Sequence, residues 1–334
     1  MPALMRKSVT LIFALLLLAA VGIWRMGQPT QAPEVDISIR AGMSARAIGH
    51  HLQQAGLIQH ARYFEWLARW RGVTDQLEAG NYRLDGTAST GKLLDALLEA
   101  PLEMVRVTIP EGLTRHEIAS ILQAAEIADS SRFIAATDDD SLIAQLGVPA
   151  SCLEGYLFPE TYFLPADINE KDIARLMVEE FFNVFSDAHF ARLESIQLTL
   201  HEAVTLASIV EREAVAAEER PTIAAVFLRR LGLRRRLESC ATVEFALGVH
   251  KKRLTNADLW VVSPYNTYRH IGLPPGPIGS PGRASIEASL HPVPTEYLYF
   301  VARGDGTHKF SRSNQEHEAA KRAIRLAQRR SRLN

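Results

Sequence analysis

The sequence predicts an α+β protein made of an N-terminal transmembrane helix, a small β-α-α-β module and a larger mixed α/β domain. Three observations carry that reading. Ser8 to Trp24 is almost wholly apolar. Residues 35–84 pass from an alternating stretch through two helix-period stretches to a second strand-like phrase. Beyond them, long segments rich in Ala, Leu, Ile and Val alternate with Pro- and Gly-rich loops.

Arg6 and Lys7 precede the apolar run, the flank expected on the cytoplasmic side, so the rest of the chain is expected to face outward. The run is about 17 residues long, the short end for a spanning helix. An Ala-x-Ala cleavage pattern is missing around Ala19 to Gly27, which favours an uncleaved anchor over residues 1–26. Gly27 to Glu34 contains Gly, Pro, Gln and Thr without periodicity and reads as a tether.

Val35 to Ile39 alternates as a strand does, Ala41-Gly42 turns, and Ser44 opens a helical pattern through Ile48 and Leu52 to Gly56. His60 to Arg71 places Phe64, Leu67 and Trp70 at helical spacing, and residues 79–84 turn into another strand. This module, residues 35–100, resembles the LysM-like class that commonly binds glycans; a spacer without glycan affinity fits the residues equally. In a connecting α/β region, 101–152, Val105 to Ile109 reads as a strand and Thr114-x-x-Glu117 as a capping box. Gly42 and Gly112 occupy equivalent turns. The largest unit spans 153–334. It opens on LEGYLFPETYFLP (Leu153 to Pro165), whose aromatics around Glu160 suit a sugar cleft or ordinary core. Ile168 to Phe190 reads as one long helix.

With 37 Lys+Arg against 38 Asp+Glu in 334 residues, no strongly basic domain is indicated and a nucleic-acid partner is not expected. Cys152 and Cys240 have no metal-like spacing and are expected to be separate thiols. His291, His308 and His317 are too scattered for a metal site, so neither metal nor cofactor is expected. Arg229, Arg230, Arg234, Arg235 and Arg236 suit a solvated face or contact with acidic peptides.

His201 to Ala217 lacks Gly and Pro and is apolar around most of its circumference, so a largely buried helix is expected. Projected at 3.6 residues per turn, His201, Thr205, Ser208 and Arg212 form a polar stripe, with Glu211 and Glu213 about 100° to either side of Arg212. Glu213 has Ile209, Val210, Ala216 and Ala217 as neighbours, whereas Glu211 has Ser208. Desolvation raises a carboxyl pKa and suits a general acid, which nominates Glu213. An acid paired with Arg212 or Arg220 is the alternative.

LASIVEREA (Leu206 to Ala214), AAVFLRRL (Ala224 to Leu231), SPYNTY (Ser263 to Tyr268), GLPPGPIGSPG (Gly272 to Gly282), His291-Pro292, YLYFV (Tyr297 to Val301) and His308-x-Phe310 follow one another in order and spacing. Together they resemble the endolytic murein transglycosylases of the YceG-like family. The resemblance implies a peptidoglycan-cleaving enzyme at the inner membrane, its catalytic domain outside, with glycan strands as substrate and peptidoglycan synthases as possible partners. It implies Glu213 as the catalytic acid and a 1,6-anhydro product. SPYNTY offers Tyr265, Asn266, Thr267 and Tyr268 as hydroxyl, amide and aromatic groups for the sugars, beside Glu160; Asn266 also suits capping a turn. Two positions depart from the family pattern: Arg229 where many relatives have Asn, and Glu238-Ser239-Cys240-Ala241 where many have Gln-x-Asp-Pro. A tethered scaffold without turnover and a hydrolytic muramidase are the competing readings.

Overall fold

The computed structural model describes residues 15, 17, 18, 21–251 and 254–331, which fall into two compact units divided between Met104 and Val105. The greater part of the expected transmembrane run lies on residues 1–14, 16, 19 and 20, outside the described ones. Residues 21–26 are helical, with Val21, Ile23, Trp24 and Met26 exposed. Among the described residues no helix is long and apolar enough to cross a membrane.

In the first unit, strand β1 (Glu34–Ile39) pairs antiparallel with β2 (Gly80–Asp85), setting Glu34 opposite Asp85 and Ile39 opposite Gly80. Between them lie α1 (Ala45–Gln54) and α2 (Ala61–Arg71), and α3 (Thr90–Ala96) follows β2. Ser44 caps α1 by accepting the Ala47 N–H, and α2 stops at Gly72, whose φ of 69° favours glycine. Alternation along β1 turns Ile37 and Ile39 onto Leu52, Phe64, Leu84 and Leu94, which close the core. The segment read as a free tether is laid against this unit: the Gly27 carbonyl accepts from Thr90, and Gly86 accepts from Thr30 and Gln31.

The second unit begins within β3 (Met104–Thr108), hydrogen-bonded to β4 (Thr161–Pro165). Between these strands run α4 (Arg115–Ala124), α5 (Ser130–Thr137) and α6 (Asp140–Gln145). The Thr114–Glu117 capping box is present, Glu117 Oε2 accepting the Thr114 N–H at 2.8 Å. Gly112 turns the chain at φ 79°, matching Gly42 at 80°.

The single helix expected over 168–190 is two, α7 (Glu170–Val184) and α8 (Asp187–Ile196). Ser186 ends the first run because its N–H bonds to His189 Nδ1 at 2.9 Å and its hydroxyl pairs with the same ring nitrogen at 3.2 Å, a local alternative to helix continuation. Helix α9 (Leu200–Glu213) follows, then α10 (Arg220–Gly232), α11 (Cys240–Leu247), α12 (Arg283–Leu290), an antiparallel hairpin of β5 (Tyr299–Ala302) and β6 (His308–Ser311), and α13 (Asn314–Ser331). One apolar cluster joins Val107 to Leu290 and takes Ala203, Val204 and Ala207 from α9. A second takes Leu206, Ile209 and Val210 and adds Ile223, Phe227 and Ile278. Burial on two sides explains why α9 is apolar around most of its circumference.

Candidate active site

Helix α9 ends one turn earlier than its composition suggests. Ala214 adopts ψ 116°, so Glu213 is the last helical residue and Ala216 and Ala217 do not stack one turn beyond it. The polar stripe on α9 is taken up by the Pro- and Gly-rich loop. His201 Nε2 donates to the Pro275 carbonyl at 2.9 Å, which leaves Nδ1 to accept from the Tyr156 hydroxyl at 3.0 Å. Ser208 Oγ accepts the Ile278 N–H at 3.0 Å, and Arg212 donates to the Ile278 carbonyl.

The two glutamates leave the helix on opposite sides of Arg212 and meet different chemistry. Glu211 is buried in an ion pair with Arg220 at 3.1 Å and accepts the Gly282 N–H at 3.0 Å, so it fastens α10 and the start of α12 to α9. Among the described residues Glu213 meets no cation in an ion pair. The Ser239 hydroxyl donates to its Oε1 at 2.5 Å, and the Ala241 N–H approaches the same oxygen at 3.4 Å. Both donors fall on Oε1, and among the described residues no hydrogen bond falls on Oε2.

Two opposing influences act on this carboxyl. Burial pushes its pKa up, while the Ser239 and Ala241 donors, and more weakly His308, pull it down. Ser239 is the N-cap of α11, so the positive end of that helix also faces the carboxylate. Desolvation thus favours the acid, and preorganised donors are ready for the anion once the proton has gone.

Glu213 lines a cleft of about 530 Å³. Cys240 and Tyr268 stand on one wall, their Sγ and hydroxyl 3.3 Å apart, and burial pushes both groups above their usual pKa ranges. β5, His308 and one face of α13 make the other wall. His308 is held by Glu219, which accepts from both its Nδ1, at 2.7 Å, and its backbone N–H. Three carboxylates line the cleft, and the other two are ion-paired: Glu238 with Arg230 and Glu318 with Lys321, each at 2.8 Å.

Of the residues nominated from sequence, Glu213 and Tyr268 line this cleft and the others do not. Thr267 lies buried behind it, where its Oγ1 accepts the Ser239 N–H at 3.0 Å and pairs with Thr242 Oγ1 at 2.8 Å. The amide of Asn266 is spent within its own loop: Nδ2 donates to Leu259 and Val261 carbonyls, and Oδ1 accepts the Tyr268 N–H. Tyr265 packs on Phe245 with ring centroids 4.8 Å apart. Glu160 is exposed before β4, its Oε1 accepting the Thr161 N–H. Tyr156 and Phe158 of the aromatic segment are core residues.

Ser239 and His308 were not nominated. A serine directly before a helical pattern is a cap signal, but nothing local says which distant carboxyl it meets. Arg230 is buried rather than solvated: it donates to the Leu298, Arg236 and Leu237 carbonyls and lies 4.9 Å from the Tyr299 ring centroid. Arg229, a departure from the family pattern, donates to the Thr295 carbonyl. Cys152 and Cys240 are both free thiols. No group of His, Cys, Asp and Glu among the described residues is arranged to hold a metal ion.

A sequence model of the YceG-like family matches residues 37–323. The chain is 34% identical over 307 residues to the endolytic murein transglycosylase of Bacillus subtilis, covering 86% of this chain and 84% of that one. It is 33% identical over 316 residues to the endolytic murein transglycosylase of Streptococcus pneumoniae R6, covering 84% of this chain and 56% of that longer protein. A 2.6 Å crystal structure of a yceG-like protein from Listeria monocytogenes superposes with a TM-score of 0.61 at 32% identity, covering 86% of this chain and 99% of that one.

Proposed function

The chain belongs to the YceG-like family, and on that premise we propose that it is an endolytic lytic transglycosylase that cleaves peptidoglycan glycan strands in the cell envelope. One observation supports this most: among the described residues, of the three carboxylates lining the cleft Glu213 alone has no ion pair, and it has a donor ready for its anion.

In this reading Glu213 protonates the glycosidic oxygen between N-acetylmuramic acid and N-acetylglucosamine. The bond from the muramic C1 to that oxygen breaks, and the N-acetylglucosamine leaves with its 4-hydroxyl restored. The 6-hydroxyl of the same muramic acid then bonds to C1 and gives its proton to the Glu213 carboxylate. A 1,6-anhydro ring forms and the acid is regenerated. The nucleophile is tethered to the reacting carbon, which supplies the intramolecular advantage without a positioned water. A hydrolase of the two-carboxylate type needs a second free acid; Glu238 is held by Arg230.

Tyr268 presents its ring to the sugars. Tyr265, Asn266 and Thr267 act by holding the loop that carries Tyr268 and the Ser239 cap. The catalytic domain is assigned to 153–334, supported by the connecting region 101–152, and residues 35–100 form a LysM-like module. The exposed apolar residues Val21, Ile23 and Trp24 support an anchor over residues 1–26 in the inner membrane, with the remainder outside and near peptidoglycan synthases.

Mass spectrometry of fragments released from purified sacculi tests the chemistry. Internal fragments ending in anhydro-muramic acid are expected. Reducing ends instead identify a hydrolytic muramidase, and no release identifies a binding scaffold.

A further inference from the structure

The cleft that holds Glu213 continues past β5 to α13, where Asn314, His317, Glu318 and Lys321 line it. Their spacing sets all four on one face of the helix. Within that face Lys321 Nζ donates to Glu318 Oε1 at 2.8 Å, and the His317 ring stacks on Tyr299 with centroids 5.2 Å apart. His317 Nδ1 is buried without a hydrogen-bond partner among the described residues. A buried polar nitrogen in that state costs free energy until a ligand or water supplies a partner. Burial, and secondarily the neighbouring Lys321 charge, hold the ring below the usual histidine range, so it offers one donor and one acceptor.

The chemistry of the substrate decides what reaches this wall. The stem peptide of N-acetylmuramic acid departs from C3 of the same ring whose C1 reacts, so it leaves the sugar beside Glu213. The sugar rings are uncharged and an amidase-stripped muramic acid keeps one lactyl carboxylate at C3, whereas the stem peptide carries carboxylates and amides farther from the ring. A lysine–glutamate pair beside an imidazole answers peptide carboxylates and peptide amides together, a combination that a stripped strand with only its lactyl carboxylates lacks.

We propose that Asn314, His317, Glu318 and Lys321 form a stem-peptide subsite, Lys321 taking a peptide carboxylate and His317 a peptide amide, so that peptide-bearing strands are selected over denuded ones. This rests on the transglycosylase reading and deepens it.

Binding without turnover tests the subsite. Full-length Glu213→Gln protein is titrated with short glycan fragments, either peptide-bearing or stripped by an amidase. The peptide-bearing fragment is expected to bind about tenfold more tightly, the scale of one charge-assisted hydrogen bond. Adding His317→Ala and Lys321→Ala is expected to erase that preference, and Lys321→Arg to retain it. Alanine is a strong helix former, and unchanged far-UV circular dichroism establishes that α13 stays folded in these variants. Equal affinity for the two fragments in the parent, or a preference surviving both alanine substitutions, overturns the subsite. Failure of the underlying reaction is seen elsewhere, as wild-type protein that releases nothing from sacculi.

Discussion

The Ser239 hydroxyl donates to Oε1 of Glu213 at 2.5 Å across 26 residues of sequence, joining the cap of one helix to the last residue of another. This bond favours the carboxylate and so opposes the burial that favours the acid. In the proposed mechanism the balance between the two lets one group give a proton and take it back.

Ser239→Ala removes the donor. Glu213 then titrates at higher pH, and because the first step needs the protonated form, the descending limb of the pH–rate profile moves to higher pH. Turnover is expected to fall about tenfold, equivalent to ~1.4 kcal/mol of lost transition-state stabilisation. Steady-state kinetics on glycan strands across pH 5–9 check both effects.

Thr267→Val leaves the buried Ser239 N–H without its acceptor and removes one of two partners from the Thr242 hydroxyl, which keeps its bond to the Ser239 carbonyl. A destabilisation of about 1–3 kcal/mol is expected. The cap also loses its anchor, so kcat drops more than KM rises. Denaturant unfolding and kinetics check the two parts, and Thr267→Ser, which restores the hydroxyl, is expected to recover both.

Glu154 gives a pH dependence of stability. Burial pushes its carboxyl up to about 7, against the backbone N–H of Arg115 that favours the anion. The unfolded group has the ordinary value of 4.5, so the native state binds more protons between pH 4.5 and 7. Stability from this group is therefore fully present below pH 4.5 and lost as pH rises through about 7, by at most roughly 3 kcal/mol. Glu154→Gln is expected to flatten that slope, read as unfolding midpoints at pH 5 and pH 8.

Local signals made the first unit and the capping boxes legible. Ser44, Thr114 with Glu117, and the paired turns at Gly42 and Gly112 each act over a few residues, and the structure keeps them. The break at Ser186 was hidden because Phe181, Phe185, His189 and Leu193, four residues apart, continue a helical period across it, while a serine–histidine bond decides the backbone. For Glu213, apolar neighbours on α9 predicted desolvation, and the structure buries the carboxyl for a partly different reason. Its environment comes from Ser239, Ala241, Tyr268 and His308, whose approach depends on tertiary packing. Asn266 shows the converse: an amide suited to sugars is consumed by its own loop.

The division of labour between Glu211 and Glu213 is the central claim, and one paired comparison tests it most directly. Glu211→Gln and Glu213→Gln are each assayed for glycan release from sacculi and for thermal unfolding at pH 7.5. Glu211→Gln uncouples a buried ion pair and is expected to cost about 3–5 kcal/mol of stability. Glu213→Gln replaces a desolvated acid by a neutral isostere and is expected to unfold at or above the wild-type temperature while releasing no fragments. A Glu213→Gln protein that cleaves at the wild-type rate contradicts the account.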